Sequence, residues 1–298
     1  MVSLVEDHDI THLSGYHTRA QARYFFEVRT REESRLLPDI YAFTREKNIP
    51  FLILGSGLNC LFAFDMFPWV VVKNALCAWS YDAAWKILHA ESQAWIWDIA
   101  ETIEEQYGNP IWHRFIGLPW SIGGALYGNA GCFGLETESN FTSAHILDLV
   151  TGEERTLSSD DMHFSYRSSM IKEDAESTHT KRFFIIDASF DLSRKREKYA
   201  SDADVRHFRE TKQPKGNTCG SFFKNPSKEH SAGALIEWAW LRWFHLGTAS
   251  FSEVHANFLM SEENGSWKDL LSLIELAQKK VHDQYGIMLV PEVQILST

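Results

Sequence analysis

A mixed α+β fold is what this sequence predicts, and three observations predict it. Apolar runs of strand length alternate with stretches of helical periodicity along the chain. A buried strand-like run passes directly into a Gly-rich loop, and a second Gly-rich stretch occupies the middle of the chain. A long amphipathic helix with readable ends precedes one last apolar strand.

Residues 24–28 read as a strand. Thr30 and Glu33 then form a capping box, opening a helix with apolar residues at Leu36, Leu37, Ile40, Tyr41 and Phe43. Pro38 falls inside that pattern; it has no N–H to donate and its ring crowds the preceding turn, so a break or kink is expected there. Residues 51–54 are a short buried strand, with further strands at 69–72 and 86–90 and a helix at 97–106. Strands follow near 144–150 and 183–192, joined by a polar connection, 171–181, that reads as a surface loop. The charged segment 194–204 is the expected domain boundary. Beyond it come a strand-like 221–223, a helix near 231–238 and a helix at about 267–284. The last has Ser266 and Asp269 as a capping pair, an apolar stripe through Trp267, Leu270, Leu271, Ile274, Ala277 and Val281, and Gly286 as its stop. Residues 293–296 form the closing strand.

A chain of 298 residues exceeds one typical domain, so two or three are expected. A net charge of -11 offers no basic surface for nucleic acid. No apolar run approaches the roughly 20 residues of a spanning helix, so no membrane partner is expected. The acidic N-terminus lacks a signal-peptide core, and a cytoplasmic location is the default expectation. Cys60, Cys77, Cys132 and Cys219 make no CxxC pair, which argues against a zinc site, and no metal is expected.

Two loops could hold a ligand. In Gly55-Ser56-Gly57-Leu58-Asn59 a strand ends in a Gly-rich turn whose backbone N–H groups could approach a pyrophosphate. It is not a GxGxxG opening a helix, so a Rossmann reading fails, and a plain tight turn accounts for it equally well. Residues 117–134 hold six of the seventeen glycines: Gly117, Gly123, Gly124, Gly128, Gly131 and Gly134. Pro119 stiffens a turn, and Gly123 and Gly124 stand where a helix could begin with free N–H groups for an anion. Close helix packing on small residues is the plain alternative; the density of glycine favours a ligand loop. Two separated Gly-rich loops without a P-loop lysine suit a dinucleotide held in an extended pose.

Three side chains could carry chemistry. Arg167, after Phe164 and Tyr166, is a fixed fork for a carboxylate or a developing oxyanion, or else a surface ion-pair residue. Ser221 has no G-x-S-x-G elbow and is a poor hydrolase nucleophile, but its hydroxyl could donate a proton. Glu292, beside Pro291 in a nearly apolar strand, reads more readily as half of an ion pair when taken alone.

Taken in order, LGSGLNCLF (54–62), GLPWSIGGALYGNAGCFGLE (117–136), FSYRSSMIK (164–172), GSFFKNP (220–226), SEVHANFLM (252–260) and PEVQIL (291–296) resemble the UDP-N-acetylenolpyruvoylglucosamine reductases over nearly the whole chain. The resemblance implies a two-lobed FAD-binding domain of the vanillyl-alcohol-oxidase type, lobes 1–75 and 76–197, and a C-terminal α+β substrate-binding domain, 198–298. It implies FAD with its pyrophosphate on loops 55–59 and 117–124. Pro119, Ser121, Ile122, Gly123, Gly124, Asn129, Ala130, Gly131 and Gly134 would complete the cofactor site. NADPH would be the hydride donor and a UDP-sugar the substrate, in peptidoglycan precursor synthesis. Arg167 and Glu292 would stabilise an enolate-like intermediate, Ser221 would deliver a proton, and Tyr166, Lys212 and Asn225 would bind substrate. A sugar oxidase of the same fold is disfavoured by GSFFKNP and PEVQIL. A degenerate or flavin-free nucleotide-sugar binding protein is the alternative from a different class.

One departure runs in a single direction. Trp120, Trp240 and Trp243 stand where that family carries glycine, and Trp69 and Trp112 look similar. Either the flavin loop is blocked, or the gene carries UGA codons that its own cell reads as glycine. The intact Arg167, Ser221 and Glu292 favour the second. Trp97 and Trp267 fit apolar helix faces.

Overall fold

The computed structural model describes residues 4–178, 181–194 and 205–297, apart from the side chains at 69, 205, 206 and 210. The chain divides into two compact units. The first comprises Met1–Val5, Phe25–Ser56 and Trp69–Arg206; the second comprises Glu6–Tyr24, Gly57–Pro68 and His207–Thr298. The charged boundary expected at 194–204 lies, from residue 195 onward, outside the described residues.

The first unit is built on a five-stranded antiparallel sheet. Its spatial order is Glu154–Ser158, Phe141–Asp148, Phe183–Asp191, Ile87–Glu91 and Trp79–Asp82. Alternation sets one face inward: Leu88 and Ala90, Ala144 and Ile146, and Ala188 and Phe190 are all buried. Helix Ile96–Tyr107 covers this core with Ile96, Ile99, Ala100 and Ile103, the i, i+3, i+4, i+7 stripe of an amphipathic helix. Each buried isoleucine contributes roughly 1.5–3 kcal/mol. A parallel pair in the same unit, Phe51–Leu54 against the Val70–Lys73 portion of Met66–Asn74, ends at Gly55 and Ser56. The Lys181 ammonium donates to the Ile53 carbonyl at 3.0 Å and ties down the approach to that loop.

The second unit packs helices Ala232–Trp238 and Trp267–Tyr285 with a small antiparallel sheet, His245–Leu246, Ala249–Phe251 and Leu259–Ser261. Leu235, Ile236, Leu270, Leu273, Ile274, Ala277 and Val281 fill its core together with Phe222 and Phe223. The closing strand Gln294–Leu296 pairs in parallel with Cys60–Phe62, Gln294 opposite Cys60.

The Thr30–Glu33 capping box forms as expected, and Pro38 separates Arg31–Ser34 from the helix Leu37–Glu46, where it occupies the first turn that needs no N–H. Three expectations are corrected. Residues 171–181 are mostly helix, Met170–Thr178; only Ile171 and Lys172 are buried, too few for a visible apolar period. Ser266 is the N-cap of the last helix but makes no side-chain cap bond; the Asp269 carboxylate accepts from the Thr248 N–H and hydroxyl at 2.8 and 2.9 Å, and the Ser266 N–H donates to the Thr248 hydroxyl at 2.7 Å, so the pair does not form. Residues 221–223 make isolated bridges, Ser221 to Phe258 and Phe223 to Pro291, rather than a ladder.

Candidate functional site

In the first unit the Gly-rich block folds as a turn followed by the helix Ile122–Gly128, with Ser121 as N-cap. The Ser121 hydroxyl accepts the Gly124 N–H at 3.3 Å. The Ile122 and Gly123 N–H groups donate to the carbonyls of Ala94 and Ser92 at 3.0 and 2.6 Å. The helix start therefore spends on its own protein the N–H groups expected to face an anion. Gly123 is required for close approach: a Cβ there would lie 2.9 Å from Ser92 Cβ and 3.0 Å from its carbonyl oxygen. Ile122 is fully buried in the core, so its side chain is not free to face a ligand. Pro119 is exposed, beside the partly buried Trp120.

Gly55 stands close against Gln93 and Ser121. A Cβ on Gly55 would lie 3.3 Å from Gln93 Oε1 and 3.6 Å from Ser121 Oγ. Gln93 is 7% exposed, and its Oε1 is buried without a hydrogen-bond partner. An orphan acceptor of this kind costs about 1–3 kcal/mol unless a ligand donor completes it. This is the observation that fits a flavin nucleotide, whose hydroxyl and N–H groups are donors. Gln93 escaped sequence reasoning, for nothing in Glu91-Ser92-Gln93 marks it.

Next to this block a two-residue hairpin turn presents Arg167. The Ser165 and Ser168 N–H groups donate to each other's carbonyls at 3.2 and 3.1 Å, with Tyr166 and Arg167 between them. Arg167 has φ +57°, a left-handed conformation that disfavours side chains. Its Nη2 donates to the Gly131 carbonyl at 2.9 Å, and the guanidinium lies 5.0 Å from the centroid of the Tyr166 ring. The Lys172 ammonium donates to the Arg167 carbonyl at 2.9 Å. Asn129, expected among the cofactor residues, has its amide group engaged elsewhere: Nδ2 donates to Ser165 O at 3.1 Å and Oδ1 accepts the Glu138 N–H at 3.2 Å. The Ala130 carbonyl accepts from the N–H and hydroxyl of Thr137, while Gly131 opens, and Gly134 turns, the small hairpin through Leu135–Glu136.

In the second unit Gly57 has φ +69°, and a Cβ would fall 1.6 Å from the Leu13 carbonyl oxygen, so only glycine fits. Leu58 is half-buried and Asn59 exposed; Asn59 Nδ2 donates to the Glu292 carbonyl at 3.2 Å and its own carbonyl accepts the Gln294 N–H at 2.9 Å. The Phe222 carbonyl accepts the Glu292 N–H at 2.7 Å, which sets Glu292 beside the segment carrying Ser221. Phe222 and Phe223 are anchored by Asn257, whose backbone and side-chain oxygens accept their N–H groups at 2.8 and 3.0 Å. With both rings buried, the exposed Ser221 is held on a fixed backbone. Burial pushes the neighbouring Cys219 thiol well up, which removes it as a thiolate nucleophile. Asn225 Oδ1 accepts the Ala232 N–H at 3.0 Å, a structural use of a residue expected to bind substrate, and Lys212 is exposed at the end of helix Val205–Lys212.

The tryptophans divide. Trp240 and Trp243 have φ +60° and +68°, backbone conformations suited to glycine, and are 85% and 57% exposed. Trp120 is not in that region; its ring packs 6.0 Å from Phe115, and its carbonyl accepts the Ile96 N–H. Trp112 differs from the others: it is buried, edge-on to Phe115 and Phe190, and its indole N–H donates to Asn140 Oδ1 at 3.2 Å. Trp97, expected on an apolar face, is 42% exposed, whereas Trp267 packs against the core of its unit.

A buried acceptor without a partner at Gln93, and an arginine held in the left-handed region at Arg167, are features of an enzyme with a small-molecule ligand rather than of a scaffold. Residues 212–296 match the C-terminal domain of the UDP-N-acetylenolpyruvoylglucosamine reductases. The enzyme of that name from Chloroflexus aurantiacus is 31% identical over 99% of this chain and 98% of its own length. The one from Chlamydia muridarum is 31% identical over 99% and 95%. The crystal structure of UDP-N-acetylenolpyruvylglucosamine reductase (MurB) from Thermus caldophilus superposes with a TM-score of 0.72 at 22% identity, covering 99% of this chain and 98% of that one, and shares the fold. The chain belongs to the UDP-N-acetylenolpyruvoylglucosamine reductase family, a family of oxidoreductases.

Proposed function

We propose that the chain catalyses the NADPH-dependent, FAD-mediated reduction of UDP-N-acetylglucosamine enolpyruvate to UDP-N-acetylmuramate, in the cytoplasm, as a step of peptidoglycan precursor synthesis. The observation that carries the reading is the fixed placement of Glu292 beside the Ser221 segment, through the Glu292 N–H on the Phe222 carbonyl, within the region that matches the family domain. Residues 1–75 and 76–197 are then the flavin-binding lobes and 198–298 the substrate-binding domain.

FAD, when bound, supplies the acceptance of hydride from NADPH and its transfer to the methylene carbon of the enolpyruvyl group. Gln93 Oε1, the Ser121 hydroxyl and the backbone at Gly55 would hold it, the first as an acceptor for one of its donors. Hydride addition leaves negative charge delocalised over the neighbouring carbon and the carboxylate. The Arg167 guanidinium offsets that charge as a preorganised cation. The Ser221 hydroxyl gives its proton to the neighbouring carbon, and Glu292 orients the charge and the proton donor. Tyr166, Lys212 and Asn225 contact the nucleotide-sugar. The chain's own part is orientation and charge.

The test is anaerobic. The purified protein is loaded with FAD, reduced with NADPH, and mixed with the enolpyruvyl nucleotide-sugar. Return of oxidised-flavin absorbance with stoichiometric formation of the lactyl ether is expected. A protein that binds the nucleotide-sugar but takes up no flavin would be the binding protein instead.

A further inference from the structure

Lys172 has no part in the chemistry described above, yet it is one of the few charged residues buried in the first unit, at 7% exposure. Burying an ammonium is costly, and the site needs a reason for it. Its ion-pair partner Glu176 stands at 3.8 Å and is itself exposed, which offsets little of that cost. The short contact is elsewhere, from Nζ to the Arg167 carbonyl at 2.9 Å. Arg167 occupies the left-handed region, which costs about 1–2 kcal/mol for a residue with a side chain. Such a conformation persists only where its surroundings over-determine it. Here they do: the turn closes on itself through Ser165 and Ser168, Asn129 holds Ser165 from one side, and the Ser169 hydroxyl donates to the Tyr127 carbonyl at 2.8 Å. Lys172 acts on the Arg167 main chain, from the first turn of helix Met170–Thr178, while the Gly131 carbonyl accepts from the Arg167 guanidinium.

We propose that Lys172 is a positioning residue for Arg167: its buried ammonium locks the Arg167 carbonyl and so fixes the direction of the guanidinium before substrate arrives. The inference rests on the reading of Arg167 as the residue that stabilises negative charge on the substrate. Charge-stabilising groups act through preorganisation, and a displacement of about 1 Å can cost about a hundredfold in rate.

The test separates the two half-reactions in the FAD-loaded enzyme and adds hydrogen exchange on the free protein. In Lys172→Met, reoxidation of reduced flavin by substrate should slow roughly 10- to 100-fold at saturation. The substrate concentration for half-maximal rate should change little, and reduction by NADPH should keep its parental rate. The Ser165 and Ser168 amides should exchange faster. Lys172→Arg, which keeps a donor, should restore most of the rate. Should the Met variant fail to fold, Lys172→Gln takes its place with the same readings. Parental reoxidation, or equal slowing of both half-reactions, overturns the proposal. If Arg167→Ala itself reoxidises normally, the functional reading falls instead. Hydrogen exchange at Ser165 and Ser168 then still decides whether Lys172 holds the turn.

Discussion

The Glu292 N–H donates to the Phe222 carbonyl at 2.7 Å, and through that bond a carboxylate near the C-terminus is tied to the residue that follows Ser221. Two residues 71 positions apart are thereby set side by side by main-chain bonding, which side-chain substitution leaves intact. Ser221→Ala should therefore remove only a proton donor. Turnover of the enolpyruvyl substrate should fall by about 10²–10⁴-fold while flavin reduction by NADPH survives. Steady-state assays with the two half-reactions followed separately check this; near-normal turnover would remove Ser221 from the mechanism.

Arg167→Ala and Glu292→Gln should each slow reoxidation by substrate and spare reduction by NADPH. For Arg167, loss of a charge-stabilising donor typically costs about 10²–10³-fold. Stopped-flow traces of both steps decide it. A defect confined to NADPH oxidation would assign these residues to the other half of the cycle.

Gln93 separates folding from cofactor binding. Its orphan Oε1 destabilises the flavin-free protein, and a ligand donor would relieve it. Gln93→Leu should melt at the same or a higher temperature without FAD, yet bind FAD about tenfold more weakly, the effect of losing one hydrogen bond of about 1.4 kcal/mol. Isothermal titration and thermal melts give the two readings. Unchanged affinity would mean that Gln93 faces something other than the cofactor.

Lys73 gives a pH signature. Burial on the strand opposite Leu54 lowers its ammonium from 10.5 to about 8, with Glu27 and Cys77 opposing the change. Between those two values the unfolded chain holds a proton that the folded chain has released. The contribution to stability is thus fully present above pH 10.5 and is lost as pH falls to about 8, a span worth up to about 3 kcal/mol. Lys73→Met should be more stable than the parent below pH 8, with the advantage shrinking toward pH 10.5. Paired melts across that range check it, and a difference independent of pH would mean that Lys73 stays charged in the fold.

What the sequence could show was whatever local pattern controls. The capping box at Thr30, the strand Phe51–Leu54 and the stripe of helix Trp267–Tyr285 are read from residues a few positions apart, and they form as read. The helix Met170–Thr178 was hidden because it is held by Ile171 and Lys172 rather than by an apolar stripe. The loops at 55–59 and 117–134 were visible as glycine, but not what each glycine is for. Gly123 serves packing on Ser92 and Gly57 clears the Leu13 carbonyl, whereas Gly55 lies close against the orphan acceptor of Gln93. Gln93 and Lys172 were illegible because their significance lies in an unmet acceptor and in a carbonyl five residues back, both properties of the folded chain.

The tryptophans carry the last prediction. Trp240 and Trp243 adopt φ +60° and +68° with their indoles mostly in solvent, so they bear the strain of a left-handed backbone without compensating burial. Replacing both by glycine should stabilise the protein by about 2–4 kcal/mol, at about 1–2 kcal/mol for each. Trp112 should behave oppositely, since its ring is buried against Phe115 and Phe190, and Trp112→Gly should cost about 3–5 kcal/mol. Trp120→Gly should raise flavin content, because the indole takes up space beside the Ser121 N-cap that a bound nucleotide would need. If the cell reads UGA as glycine, codons 120, 240 and 243 are UGA and codons 97 and 267 are UGG. Denaturation midpoints, flavin-to-protein ratios and the gene sequence give three separate readings. UGG at 240 and 243, with no gain in stability on substitution, would show that these tryptophans belong to the protein and that its backbone tolerates them.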